Sequence, residues 1–233
     1  MLKRGLAFAL ALVMLASVSV AGATGMEIEK NGQWYTEVSA WAKDGVEKAI
    51  DLGVAYWPSR GDAKTSISRC YFAEDAAAVV ALAYGSDLAA YEGFRVLQLM
   101  RGTGDNQKYA YETLDILRGR GNGDMDFFGD ITRQEAAVML DRAYRIYCDE
   151  IHDDMEPLAY ADKNDIADWA KEDVALITHL GVMNGIGENK FDPKGVYTLE
   201  QCFVTLVRLY EKTAQGKTPV GENPFPLTER EKV

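Results

Sequence analysis

The sequence predicts an all-α protein made of three helix–loop–helix units behind an export signal. Three observations lead there. An apolar stripe of helical spacing occurs three times, each preceded by an aromatic residue and written to end in glycine. A second helical pattern follows each stripe after a loop of Gly, Pro, Asp and Asn. No alternating stretch is long enough to argue for a sheet.

The elements follow in order. Lys3 and Arg4 precede an apolar run over Gly5–Val20 and the small residues Ala21-Gly22-Ala23. This is the layout of a secretory signal peptide at 1–23, and the run is short for a membrane span, which needs about 20 apolar residues. The expected product is exported and carries no membrane span once the signal is cleaved. The first unit occupies 33–84, with the stripe Ala42, Val46, Ala49 and Gly53 and a second helix around Phe72, Ala76, Val79, Val80 and Ala83. A linking helical segment at 85–107 follows.

The second unit, 108–148, pairs the stripe Ala110, Leu114, Leu117 and Gly121 with Ala136, Ala137, Leu140, Ala143, Tyr144 and Tyr147. The third, 158–212, pairs Ala170, Val174, Ile177 and Gly181 with Phe203, Leu206, Val207 and Tyr210. Each closing glycine suits the left-handed residue that ends a helix. The tail at 213–233 carries Pro219, Pro224 and Pro226 among charges and reads as an exposed end.

The starts of the second helices are the most informative places. Ile131-Thr132-Arg133-Gln134-Glu135 has the form of a capping box, with Thr132 as cap and Glu135 returning the bond. Thr198 and Gln201 play these parts in the third unit, and Ser68 keeps the cap in the first. Arg69 and Arg133 sit in a first helical turn, where the helix dipole disfavours a cation. A planar, permanently charged donor there suits a carboxylate or phosphate, reinforced by free backbone N–H groups. A salt bridge to one of the 36 acids is the other reading.

The triplication, the Ile-Thr-Arg-Gln-Glu opening, and the order Tyr160-Ala161-Asp162, Trp169-Ala170, Gly181-Val182-Met183-Asn184-Gly185, Phe191-Asp192-Pro193 and Thr198 resemble the S-layer homology domain family. The resemblance runs from about Gln33 to Lys212. It implies three repeats packed as a pseudo-threefold bundle and a noncatalytic module binding secondary cell-wall polysaccharide. It further implies grooves between repeats that take an anionic, ketal-pyruvylated sugar, with Arg69 and Arg133 as ligand-binding residues. Leu199 stands where the third arginine belongs, and Tyr71 replaces the acid of the first copy. At most two grooves are therefore expected to keep the basic contact. Trp41 and Trp169 are candidate ligand-binding surfaces for the sugar, although their place beside the stripe argues first for the core.

Composition excludes other classes. A net charge of −11, with no run of Lys or Arg, opposes nucleic acid as a partner. Cys70, Cys148 and Cys202 are too few for a disulfide-stapled domain and lie in no metal or redox motif. His152 and His179 have no ligand spacing around them, and Asn122-Gly123-Asp124-Met125-Asp126 starts a calcium loop that Phe127 and Arg133 spoil. No metal, cofactor or catalytic residue is expected. The expected function is that of a wall-polysaccharide binder at the surface of a Gram-positive-type bacterium. A protein-interaction module working with other envelope proteins is the alternative, with a wall-active hydrolase behind it.

Overall fold

The computed structural model of the chain describes residues 25–55, 60–85, 115–120, 124–148 and 155–214. The signal peptide at 1–23, nearly all of the 85–107 segment, the start of the second stripe (Ala110, Leu114) and the tail beyond 214 lie outside the described residues.

The fold is mixed α/β, which corrects the all-α expectation. Two strands, β1 (Met26–Lys30) and β2 (Gln33–Val38), form an antiparallel hairpin, and β3 (Arg60–Asp62) joins β2 in parallel. Asn31 and Gly32 turn the hairpin with φ of 52° and 78°, the left-handed pair of a two-residue hairpin loop. Asn-Gly between short alternating segments was the signal for these strands. The strands are five, six and three residues long, below the length at which alternation alone is persuasive.

Five helices follow among the described residues: α1 (Lys43–Leu52), α2 (Arg69–Ala83), α3 (Arg133–Tyr147), α4 (Lys171–His179) and α5 (Leu199–Ala214). Gly53 and Gly181 end α1 and α4 with φ of 74° and 70°. The helical expectation for Leu117 is corrected: residues 115–120 are not helical, and Asp115 is left-handed at φ 55°, while Ala110, Leu114 and Gly121 lie outside the described residues. Ile116 and Leu117 are then buried after Asp115 as Val182 and Met183 are after Gly181.

The helices α2, α3 and α5 pack on one another and form the centre, while α1 lies on α5 and α4 on α3. Gly45 lets α1 approach closely: a Cβ there would stand 2.6 Å from Val204 Cγ2. Buried aromatic pairs cross between elements, with Phe72 against Tyr197 at 5.3 Å and Tyr35 against Phe203 at 5.1 Å. Cys70, Cys148 and Cys202 are free and buried.

A cyclic set of bonds closes the centre. The first two amides of α2 donate to Gly129 O (3.1 Å) and Phe127 O (2.9 Å). Those of α3 donate to Gly195 O and Pro193 O, both at 3.0 Å, and those of α5 to Thr65 O (2.9 Å) and Ala63 O (3.0 Å). Each helix start is thus satisfied by the loop that precedes another central helix, around a closed ring. Isolated bridges Ser68–Asp130, Thr132–Val196 and Ser66–Thr198 repeat the same order. These amides are the orphan donors of a helix N-terminus. Their use by loop carbonyls corrects the expectation that they stay free to hold an anion.

Candidate functional site

The helix starts carry the site, and their caps place it. Thr132 and Glu135 close a capping box: Thr132 N donates to Glu135 Oε2 at 2.8 Å, and Glu135 N to Thr132 Oγ1 at 3.4 Å. Gln201 N donates to Thr198 Oγ1 at 3.4 Å. Ser68 stands at the cap position of α2, but its hydroxyl makes no cap bond and lies 3.4 Å from Cys70 Sγ. The capping role expected of it is corrected on that point.

Arg69 and Arg133 are the first residues of α2 and α3, and both side chains are buried. Arg133 donates from Nε to Phe191 O (2.7 Å), from Nη2 to Asn184 O (2.7 Å) and from Nη1 to Gln201 Oε1 (3.2 Å). Its guanidinium also lies over the Phe191 ring, 5.0 Å from the centroid. Three of its five N–H groups are bonded, so two remain. Arg69 donates from Nη2 to Arg118 O (2.8 Å) and pairs through Nη1 with Glu135 Oε1 (2.9 Å). Arg69 Nε is buried without a partner, whereas Arg133 Nε has the Phe191 carbonyl. Burial pushes both guanidinium groups down from their usual value, and Glu135 opposes this for Arg69. Both stay charged, because arginine starts so far above neutrality.

Each arginine floors a groove. The first, about 590 Å³, is lined by Arg69, the 118–120 loop, the α3 face with Glu135, Met139 and Arg142, and Trp169. The second, about 500 Å³, is lined by Arg133, the 183–187 loop, the α5 face with Gln201, Thr205 and Arg208, and Trp41 with Lys64. Glu135 and Gln201, Arg142 and Arg208, and Gly119 and Gly185 each lie 66 residues apart, so the grooves share one frame. Trp41 and Trp169 are 57% and 60% exposed, which overturns the core reading of both. Their side chains leave the stripe and wall the two grooves.

Sequence inspection missed the other cations. Arg118, Arg120 and Arg142 join Arg69 around one groove, although no run of basic residues brings them together. Arg120 contacts Asp126 and Glu135, each at 3.2 Å, and Arg118 pairs with Asp115. The signal was present only as the 66-residue offset that relates Arg142 to Arg208. Asp162 was seen as part of a motif, and its task is now visible. Its carboxylate accepts Phe191 N (2.9 Å) and Asp192 N (2.8 Å) and so holds the loop whose carbonyl binds Arg133.

At the third corner Leu199 is buried at the start of α5, and no arginine occupies its position. The next residue, Glu200, accepts Ser39 N at 2.8 Å and Lys64 Nζ at 2.5 Å. Among the described residues no cluster of His, Cys, Asp and Glu can hold a metal ion, and no helix is long and apolar enough to cross a membrane.

Comparison with known proteins bears on this geometry directly. Residues 159–201, which include α4, the Arg133-binding loop and the start of α5, match the S-layer homology domain. The chain carries an S-layer homology domain. Such a domain is a cell-surface anchoring module of exported proteins.

The chain is similar to an exoglucanase, XynX, of Acetivibrio thermocellus, 34% identical over 83 residues. It is also similar to an amylopullulanase of Thermoanaerobacterium thermosulfurigenes (32% over 83 residues) and an endoglucanase of Bacillus sp. strain KSM-635 (29% over 116 residues). The matches cover 36%, 36% and 47% of this chain but only 8%, 4% and 12% of those proteins. The likeness therefore reaches a small part of each enzyme.

Proposed function

We propose that the chain is a noncatalytic anchor of the bacterial cell surface, exported by the signal at 1–23, that holds an anionic wall polysaccharide in its two arginine-floored grooves. The units at 33–84 and 108–148 act in this reading as degenerate companions of the S-layer homology domain at the C-terminal end. The observation that carries it is the recurrence, in both grooves, of a buried arginine beside an exposed tryptophan. A pyruvylated sugar offers a carboxylate and a flat apolar face, and a guanidinium with an indole matches both.

The 64- and 66-residue offsets of the helix starts and their cyclic bonds support treating the units as copies. Electrostatics agrees, since a chain of net charge −11 needs local cations to hold an anionic polymer. Binding should accordingly weaken as salt rises. The envelope is taken as Gram-positive in type.

Co-sedimentation with purified wall sacculi, before and after acid extraction of the secondary polymer, tests the reading. Binding should be lost on extraction and weakened by Arg133→Ala. Equal sedimentation with extracted sacculi, or none with either preparation, would overturn it and turn the search to protein partners in the envelope.

A further inference from the structure

The second residues of the three central helices use their backbones alike and their side chains differently. Cys70 N, Gln134 N and Glu200 N each donate to the loop before another central helix. The buried Gln134 side chain then accepts Ala167 N at 3.0 Å. The buried Glu200 carboxylate accepts Ser39 N at 2.8 Å and Ser39 Oγ at 3.1 Å.

Ser39 and Ala167 occupy the same place in two units. Each stands two residues before an exposed tryptophan, and each opens a turn closed on its own carbonyl. Ala42 N donates to Ser39 O and Ala170 N to Ala167 O, both at 2.9 Å. Val38 and Ala42 are buried on either side of the first turn, as Ile166 and Ala170 are around the second. Trp41 and Trp169 stand between those anchors and point out of the core. The side-chain bond to the first amide of the turn ties it to the helix across the groove and sets its tilt.

The pattern around the ring says what these bonds serve. A central helix floors one groove with its first residue and walls another beyond it, so α3 walls the Arg69 groove and α5 the Arg133 groove. By the same order the Leu199 floor falls to α2, whose second residue is Cys70. The Cys70 thiol lies 3.4 Å from Ser68 Oγ of its own helix start. A bond needed only to join neighbouring units would be wanted at every corner, because the backbone ring is closed at all three. The amide-accepting side chain stands instead on the two helices that wall an arginine-floored groove.

We infer that Gln134 and Glu200 are positioning residues, each clamping the tryptophan turn of the following unit so that the indole is set across the groove from the floor arginine. The clamps are independent of any ligand. Their service to binding rests on the wall-polysaccharide reading above: an indole already in place need not be ordered when a sugar arrives.

The test compares the two turns within one chain. Glu200→Met and Gln134→Met keep an unbranched, helix-forming side chain and delete the acceptor, whereas Glu200→Gln and Gln134→Glu keep one. Amide order parameters are measured by ¹⁵N relaxation on the purified chain. Glu200→Met should lower those of Ala40 and Trp41 by about 0.2 from a rigid value of about 0.85 and leave Asp168 and Trp169 unchanged. Gln134→Met should do the reverse, and the two conservative variants should keep both turns rigid. Co-sedimentation of Glu200→Met with sacculi should weaken about threefold to tenfold, with Glu200→Gln retaining it.

Unchanged order in Glu200→Met, equal loosening of both turns, or no rescue by Glu200→Gln would overturn the clamp. A loosened Trp41 turn with unweakened sedimentation would overturn its service to the groove. An unmodified chain that does not sediment, with turns that respond as expected, strikes the wall reading and leaves the clamps standing.

Discussion

The corner of the ring built on Leu199 and the corners built on Arg69 and Arg133 share the two backbone bonds that satisfy the helix start and differ in the side chain at the first helical position. At all three corners the first two amides of a central helix are taken by the loop before another. Only at two does a guanidinium then reach onward, to Arg118 O in one case and to Asn184 O and Phe191 O in the other. At the third, Leu199 is packed into the core and Glu200 bonds Ser39 and Lys64 instead. Architecture resides in the backbone ring, and a buried guanidinium is added to it one side chain at a time. A corner can lack the arginine and keep its place in the fold.

The largest expected effect breaks the comparison at its arginine side. Arg133→Ala removes a buried side chain and leaves the Phe191 and Asn184 carbonyls without their donor, at a cost of about 3 kcal/mol by urea unfolding. Arg69→Ala should cost less, about 2 kcal/mol, since it removes one carbonyl bond and an ion pair that Arg120 still supplies. Equal losses would mean that the two corners are held alike.

On the Leu199 side, Gly45→Ala pushes a methyl group into Val204, which is stiff because it is β-branched within a helix. Alanine gains about 1 kcal/mol of helix propensity, overpacking costs about 2, and a net loss of about 1 kcal/mol is expected in the same assay. A gain would show that α1 does not press on α5.

A third prediction concerns acid–base balance behind the Trp169 groove. Burial, reinforced by the hydrogen bond and charge of Asp141, raises the Asp173 carboxyl to about 7. Arg145 pairs with Asp141 at 2.9 Å, and Arg142 moderates the Asp173 shift. The folded state therefore holds an extra proton between the usual carboxylate value and about 7. Its stabilisation is complete below that window and is lost as pH rises through it. Asp173→Asn should flatten this slope and raise the melting temperature at pH 8 by about 2–4 °C for each kcal/mol recovered. A melting temperature that rises between pH 5 and 7 in the unmodified chain contradicts the carboxyl pair.

The smallest stability effect is the sharpest functional one. Trp41 is more than half exposed, so Trp41→Ala should change stability by only about 0.5 kcal/mol while weakening sacculus binding severalfold. A large loss of stability would return Trp41 to the core.

The helix starts were legible because capping is local chemistry. Thr132 and Glu135 are three residues apart, and Gln201 stands three after Thr198, so the cap bonds need no knowledge of the rest of the chain. The hairpin was equally local in its Asn31-Gly32 turn, but its strands were too short for alternation to show. The middle stripe misled at Leu117, which fits a helical spacing but is not helical and follows a left-handed Asp115 at φ 55°. The tryptophans misled because a residue beside an apolar stripe can fall on either side of the helix, and only packing chooses.

The sequence by itself determined the all-helical centre, the caps, the glycines that close α1 and α4, and the two arginines at helix starts. Each of these is decided within one or two helical turns. Tertiary structure alone decided that β3 pairs with β2, that loop carbonyls consume the helix-start amides, and that four arginines meet at one groove. It decided as well that Arg69 meets a carboxylate and Arg133 an amide. Most of those outcomes join residues from 26 to 137 positions apart, where no local periodicity speaks and only the tertiary fold brings the groups within bonding distance.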